Sequence, residues 1–107
     1  MITGLHYLRA FFLNLMYIYN VTVNVESSIA EDWLQWMKSK HIPDVLATGC
    51  FTENRICKLI KVQDEGSTFA VQYTYLKPEQ LEHYQKNFAP ALQKEHTERY
   101  GSKAVAF

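Results

Sequence analysis

The stretch YIYNVTVNV, residues 17–25, decides the fold class of this chain. It alternates without exception between two sets of side chains. One set is apolar or aromatic (Tyr17, Tyr19, Val21, Val23 and Val25), and the other comprises Ile18, Asn20, Thr22 and Asn24. Because successive side chains of a β-strand point to opposite faces of a sheet, this alternation predicts a strand with one face on a core.

A helix is predicted directly after this strand. Ser28 and Glu31 have the spacing of a capping box, and four large apolar residues then recur at helical intervals: Ile29, Trp33, Trp36 and Met37. We place the helix at residues 29–41. We expect it to stop near Ile42, because Pro43 disfavours the α conformation in the residue before it, although Pro43 can itself begin a short turn that ends at Gly49.

The remaining chain predicts a hairpin, a second helix and a short strand. Residues 50–62 and 68–76 are rich in β-forming residues and are separated by the turn-like sequence DEGS, residues 64–67. A helical stripe follows, made of Leu81, Tyr84, Phe88 and Leu92. Pro90 should kink or divide this second helix, and Gly101 is placed to end it after Tyr100. Residues 104–107 would form a closing strand that is cut short.

The resulting order of elements, βαββαβ, is the plan of ferredoxin-like domains. We therefore expect an α+β fold with a four-stranded antiparallel sheet and two helices on one face. On the uncovered face, the two clearest strands carry small, uncharged side chains: Asn20, Thr22, Asn24, Ala70, Gln72 and Thr74. A solvent-exposed sheet face usually carries Lys and Glu. Because this face does not in its two clearest strands, we predict that a second copy of the chain covers it in a homodimer. The alternative is an ordinary solvated face.

The 107-residue chain has the length of one domain. Residues 1–15 are apolar but interrupted by His6, Arg9 and Asn14, which makes them too short and too broken to span a bilayer. They also lack the cleavage-site pattern of a signal peptide. We interpret residues 1–15 as an extension outside the domain and residues 16–107 as the domain itself.

Charge and cysteine content exclude some partners and favour one compartment. The eleven basic and eleven acidic residues cancel, so no net field attracts nucleic acid or an anionic membrane. Cys50 and Cys57 lack the CxxC spacing, and isolated cysteines of this kind fit a reducing cytoplasm. The sequence therefore predicts a cytoplasmic protein without nucleic-acid or membrane partners.

Several strings in the chain resemble a small bacterial family known as domain of unknown function 4286. They are MYIYNVTVNV (16–25), WLQWMKSKHIPDVLATGCF (33–51) and VQYTY (71–75), followed by Tyr84, Ala89-Pro90, Leu92 and Tyr100-Gly101. The resemblance implies a dimeric α+β barrel, in which two domains pair sheet to sheet. Residues before Met16 are not part of the pattern, and the family's last strand would continue beyond Phe107.

The candidate site is a cluster on and after the first helix: Trp33, Trp36, Met37, His41 and Asp44. We hypothesise a pocket between the helices and the sheet that is lined by four residues: Trp33, Trp36, His41 and Tyr84. There His41 could transfer protons, oriented by Asp44. The alternative is a structural aromatic stripe whose histidine caps the helix end. His83 and His96 add polar groups to the second helix without metal-ligand spacing.

Three functions remain open at this point. The first is a homodimer that binds a small hydrophobic ligand, without metal or cofactor. The second, implied by the wider dimeric barrel group, is a cofactor-independent oxygenase or isomerase-like enzyme. The third is an RNA-binding module, but such modules display aromatic residues on the open face of the sheet. Here the aromatic positions Phe69, Tyr73 and Tyr75 share the face that we assign to the helices.

Overall fold

The computed structural model describes residues 15–60 and 65–107. Within these residues the strands β1 (Tyr17–Val25), β2 (Glu53–Leu59), β3 (Ser67–Tyr75) and β4 (Ala104–Ala106) form one antiparallel sheet in the order β2-β3-β1-β4. Residues 1–14 of the expected N-terminal extension lie outside the described residues. So do residues 61–64, where the strand predicted at residues 50–62 ends and the predicted turn begins.

The helical segments are α1 (Ala30–Trp36), a π-helical turn (Met37–His41), α2 (Ile42–Ala47), α3 (Pro78–Asn87) and α4 (Ala89–Tyr100). Short 3₁₀ turns, Ser27–Ile29 and Gly101–Lys103, precede α1 and β4. The fold is therefore α+β, with an antiparallel sheet and helices between its strands, and it is consistent with the ferredoxin-like resemblance. Among the residues described, no helix has the length and apolar character that crossing a membrane requires.

The predicted alternation of β1 is confirmed by its pairing with β3. Tyr19 lies opposite Tyr73, and Val21 lies opposite Val71, on the face that carries the core. Both helical regions contact this face, because Trp33 packs on Phe69 and Tyr84 packs on Tyr19. The helices and the core therefore lie on one side of the sheet.

The predicted break in the helix at Ile42 is wrong, whereas the short turn predicted from Pro43 is present as α2. Ile42 has helical backbone angles (φ −62°, ψ −45°), and the chain continues through the π-helical turn into α2. The N–H of Ile42 bonds to the carbonyl of Met37, five residues back, so the turn is wider than an α-helical one. Pro43 then falls in the first turn of α2, the part of a helix in which proline is most common.

Other boundaries follow the sequence more closely. The second helix divides at Phe88 (φ −124°), with Pro90 in the first turn of α4, and Gly101 (φ 56°) ends it. The expected strand at residues 50–62 starts late, at Glu53, since Cys50 and Phe51 are buried in the preceding loop instead.

The sheet face opposite the helices contains the predicted uncharged row. In register, Asn20 lies opposite Gln72, and Thr22 lies opposite Ala70. The outer strand β2 adds Glu53 and Arg55 to this face, as their pairing with β3 shows. The uncharged part is therefore the middle of the face, formed by β1 and β3.

Candidate functional site

A cavity of about 370 Å³ lies between the sheet and the helices. Its floor comes from the core face of β1 and β3: Tyr19, Val21, Val23, Val71 and Tyr73. Its helical wall comprises Met37, His41, Tyr84, Gln93, His96 and Thr97. Gln93 and Thr97 are exposed to solvent, so the cavity has a polar rim on the α4 side.

The π-helical turn brings His41 to this cavity. Met37 and His41 are its first and last residues, and both line the cavity. A π-helical turn inserts one extra residue relative to an α-helix, so it changes which side chains face the sheet after it. Such turns occur often at functional sites.

His96 reaches the same cavity from α4 and is held by Trp33. The indole Nε1 of Trp33 donates a hydrogen bond of 2.9 Å to Nε2 of His96. Trp33 is fully buried (0% exposed) and packs on Phe69, with 4.9 Å between ring centroids. Nε2 of His96 is therefore occupied by its hydrogen bond to Trp33 in α1.

The two imidazoles lie side by side, with 5.9 Å between the centroids of His41 and His96. Burial, and then the neighbouring His96, lower the pKa of His41 to about 4. Burial also lowers the pKa of His96. Both rings are therefore neutral at neutral pH. The Nδ1 atom of His41 is buried without a hydrogen-bond partner among the described residues.

Three tyrosines surround the apolar part of the cavity. Tyr19 stands 6.3 Å from Tyr73 and 6.1 Å from Tyr84 between ring centroids. Burial raises the pKa of all three hydroxyls, that of Tyr84 to about 12. They therefore remain neutral hydroxyl groups, and none of the described residues that line the cavity carries a full charge at neutral pH.

The family model described as Domain of unknown function (DUF4286) matches residues 16–107, which include every strand and helix described above and the whole cavity. The chain belongs to this family. No curated protein and no solved structure matches it. In this DUF4286 domain, a role for the cavity therefore has to be argued from the site's own geometry.

The predicted site residues of the DUF4286 domain are only partly brought together. His41 and Tyr84 line the cavity, whereas Trp33 and Trp36 stand behind its helical wall. The Trp36 ring lies 5.3 Å from His41 and 5.5 Å from Tyr100 between centroids. The two tryptophans therefore support the histidines and do not contact the cavity.

Asp44, the predicted partner of His41, lies next to Lys40. The carboxylate Oδ2 of Asp44 forms an ion pair with Nζ of Lys40 at 2.5 Å. In the part of the chain that the structure describes, no hydrogen bond joins Asp44 to His41. The same part contains no group of three or more His, Cys, Asp or Glu placed to hold a metal ion.

Sequence reasoning missed the contribution of Tyr19 and Tyr73 and the pairing of His96. A signal for the tyrosines was present, because strand alternation puts both on the helix side of the sheet. No local signal links His96 to Trp33. The third histidine, His83, is exposed and contacts Asn87, so it lies outside the site.

Proposed function

We propose that this protein is a homodimeric, ferredoxin-like α+β barrel that binds a small, neutral, hydrophobic molecule between its helices and its sheet. The observation that carries the proposal is the cavity of about 370 Å³. Its size lies in the range of small-molecule sites, which are mostly apolar with a few polar groups. The valines and tyrosines supply the apolar surface, and His41 and His96 supply the polar groups.

The charge of the lining favours a neutral ligand. Among the residues that the structure describes, no Lys or Arg lines the cavity to balance a carboxylate or phosphate, and no Asp or Glu lines it to balance an amine. Transfer of an unpaired charge from water into an apolar site is costly. We expect the apolar part of such a ligand to contact Val21, Val71 and the tyrosines.

Pairing of two sheets is supported by the composition of the uncovered face. Its middle carries no charge, and two apolar side chains at its margin are exposed in the single chain: Ile18 (58%) and Val105 (48%). In a twofold dimer the same patch covers itself, which would remove both residues from water. We also infer a cytoplasmic location, supported by the free thiols of Cys50 and Cys57.

Ligand binding is tested with N-phenyl-1-naphthylamine, a neutral fluorophore that brightens in apolar sites. We expect saturable binding to the wild type. Val21→Phe should weaken it at least tenfold, since the larger ring occupies the cavity next to β1. The matched control is Ile56→Phe, which adds a ring on the same face of the sheet at a position that does not line the cavity. Equal binding by both variants, or none by the wild type, would contradict the proposal.

A second candidate function is a cofactor-independent oxygenase or an isomerase-like enzyme. The observation in its favour is the pair of neutral imidazoles at the cavity, because a neutral imidazole can accept a proton from a bound substrate. Oxygen uptake with a quinol, or deuterium exchange next to the carbonyl of a bound ketone, would detect such activity. His41→Phe should abolish it while binding persists, whereas binding without turnover supports the first function alone.

A further inference from the structure

The indole of Trp33 determines which nitrogen of His96 carries the proton. An indole N–H can donate a hydrogen bond but cannot accept one, so Nε2 of His96 must be the acceptor over their 2.9 Å contact. A neutral imidazole that accepts at Nε2 carries its proton on Nδ1. A doubly protonated ring would place two N–H groups against each other, and the lowered pKa of His96 agrees with a neutral ring.

The donor at Nδ1 has no partner of its own in the described chain. His96 lines the cavity, and the described residues offer its Nδ1 no hydrogen bond. The neighbouring ring of His41 is close in space but is not hydrogen-bonded to it. Among the described residues, Nδ1 of His96 is not one of the buried unpaired atoms, so water can reach it in the free protein.

Resting on the proposed function, we infer that the cavity selects ligands with a neutral carbonyl oxygen, such as ketones, aldehydes or quinones, which accepts the Nδ1–H of His96. Trp33 is then a positioning residue that acts through His96. A ligand of the same shape without this acceptor would displace water from Nδ1 and leave the donor unpaired. A carboxylate in the same place would find no cation among the described lining residues.

The inference is tested with two probes of nearly equal shape, 2-acetylnaphthalene and 2-isopropenylnaphthalene, in which a methylene group replaces the carbonyl oxygen. We expect the wild type to bind the ketone about tenfold more tightly, as one hydrogen bond within a site implies. 2-Naphthoate should bind more weakly than the ketone. His96→Phe keeps a ring at this position and should remove the preference for the ketone.

A second measurement reports the tautomer directly and needs no variant. Long-range ¹H–¹⁵N correlation on the labelled wild type should show Nδ1 of His96 protonated and Nε2 unprotonated, with Nδ1 shifting when the ketone is added. Trp33→Phe removes the indole donor, so the spectrum of His96 should move towards a mixture of tautomers. The exposed His83 serves as the internal control and should not change.

Each outcome separates the two proposals. A proton on Nε2 of His96, or equal affinity for ketone and alkene, overturns this inference and leaves hydrophobic binding intact. If none of the three probes binds, the proposed function fails and this inference fails with it.

Discussion

Trp33 and His96 are 63 residues apart in the chain, yet a hydrogen bond of 2.9 Å joins the indole N–H of one to the imidazole Nε2 of the other. The bond connects α1 to α4 across the layer that covers the sheet. The two residues have different places in the site: the buried indole lies behind the helical wall, and the imidazole lines the cavity. A structural tryptophan thus sets the chemistry of a neighbouring polar group.

The free energy of unfolding should decrease as the pH is lowered from neutral to mildly acidic values, because of His41. Burial, with smaller effects of His96, Asp44 and Lys40, leaves the pKa of His41 at about 4 in the folded protein, whereas an unfolded histidine has a pKa of about 6.5. The unfolded chain therefore binds a proton first as the pH drops. The contribution of neutral His41 to the free energy of unfolding is complete above about pH 6.5 and is lost progressively towards pH 4. It amounts to at most about 3 kcal/mol.

Urea unfolding at pH 7.5, 5.5 and 4.5 measures this dependence. His41→Phe keeps an aromatic ring but cannot bind a proton, so its free energy of unfolding should change less over the same range. His96, whose pKa is also lowered, accounts for part of the remaining slope. If the free energy of unfolding of His41→Phe depended on pH as steeply as that of the wild type, His41 would not be held neutral by the fold.

A lysine in the middle of the uncovered sheet face should prevent the proposed dimer. Thr22→Lys puts a charge between β3 and β4, where a partner sheet would have to bury it. The control Gln85→Lys adds the same charge on the exposed side of α3. Light scattering should give a two-chain mass for the wild type and Gln85→Lys and a one-chain mass, 12.5 kDa, for Thr22→Lys. A one-chain mass for the wild type at micromolar concentration would rule out the dimer.

Gly66→Ala should destabilise the fold more than Gly49→Ala. Both glycines have positive φ angles, +85° and +78°, so alanine at either one pays a conformational cost of about 1 kcal/mol. A Cβ atom at Gly66 would in addition collide with the backbone carbonyl oxygen of Val25, whereas the space around Gly49 is open. We expect a loss of about 2–4 kcal/mol for Gly66→Ala in urea unfolding. Equal losses at the two positions would contradict the close approach.

Tyr100→Phe should cost about 1 kcal/mol of stability. The Tyr100 hydroxyl donates to Oδ2 of Asp32 at 2.8 Å and accepts from Nε of Arg99 at 3.1 Å, which links α4 to α1. The matched control is Tyr75→Phe, whose hydroxyl has no hydrogen bond among the described residues and which should unfold like the wild type. Thermal unfolding of the three proteins compares them, and a neutral Tyr100→Phe would mean that water replaces this link.

Local stereochemistry explains what could be predicted from the sequence. The alternation of residues 17–25 depends only on the pleat of a strand, so it correctly assigned Tyr19 and Val21 to the core face. Pro90 and Gly101 act through their own backbone restrictions, and both helix boundaries followed. Tyr84 was placed at the site because a helical stripe must face the sheet.

Tertiary structure alone decided the path of the chain after the first helix and the arrangement of the polar groups. A proline disfavours the helical conformation in the residue before it by local sterics, but here Ile42 is helical nonetheless, and its N–H bonds to the carbonyl of Met37 five residues back. Once the helix continues, Lys40 and Asp44 become neighbours one turn apart and pair with each other, so Asp44 is engaged away from His41. The contact of His96 with Trp33 depends on how α4 packs over α1, and no pattern of nearby residues encodes a packing of two distant helices.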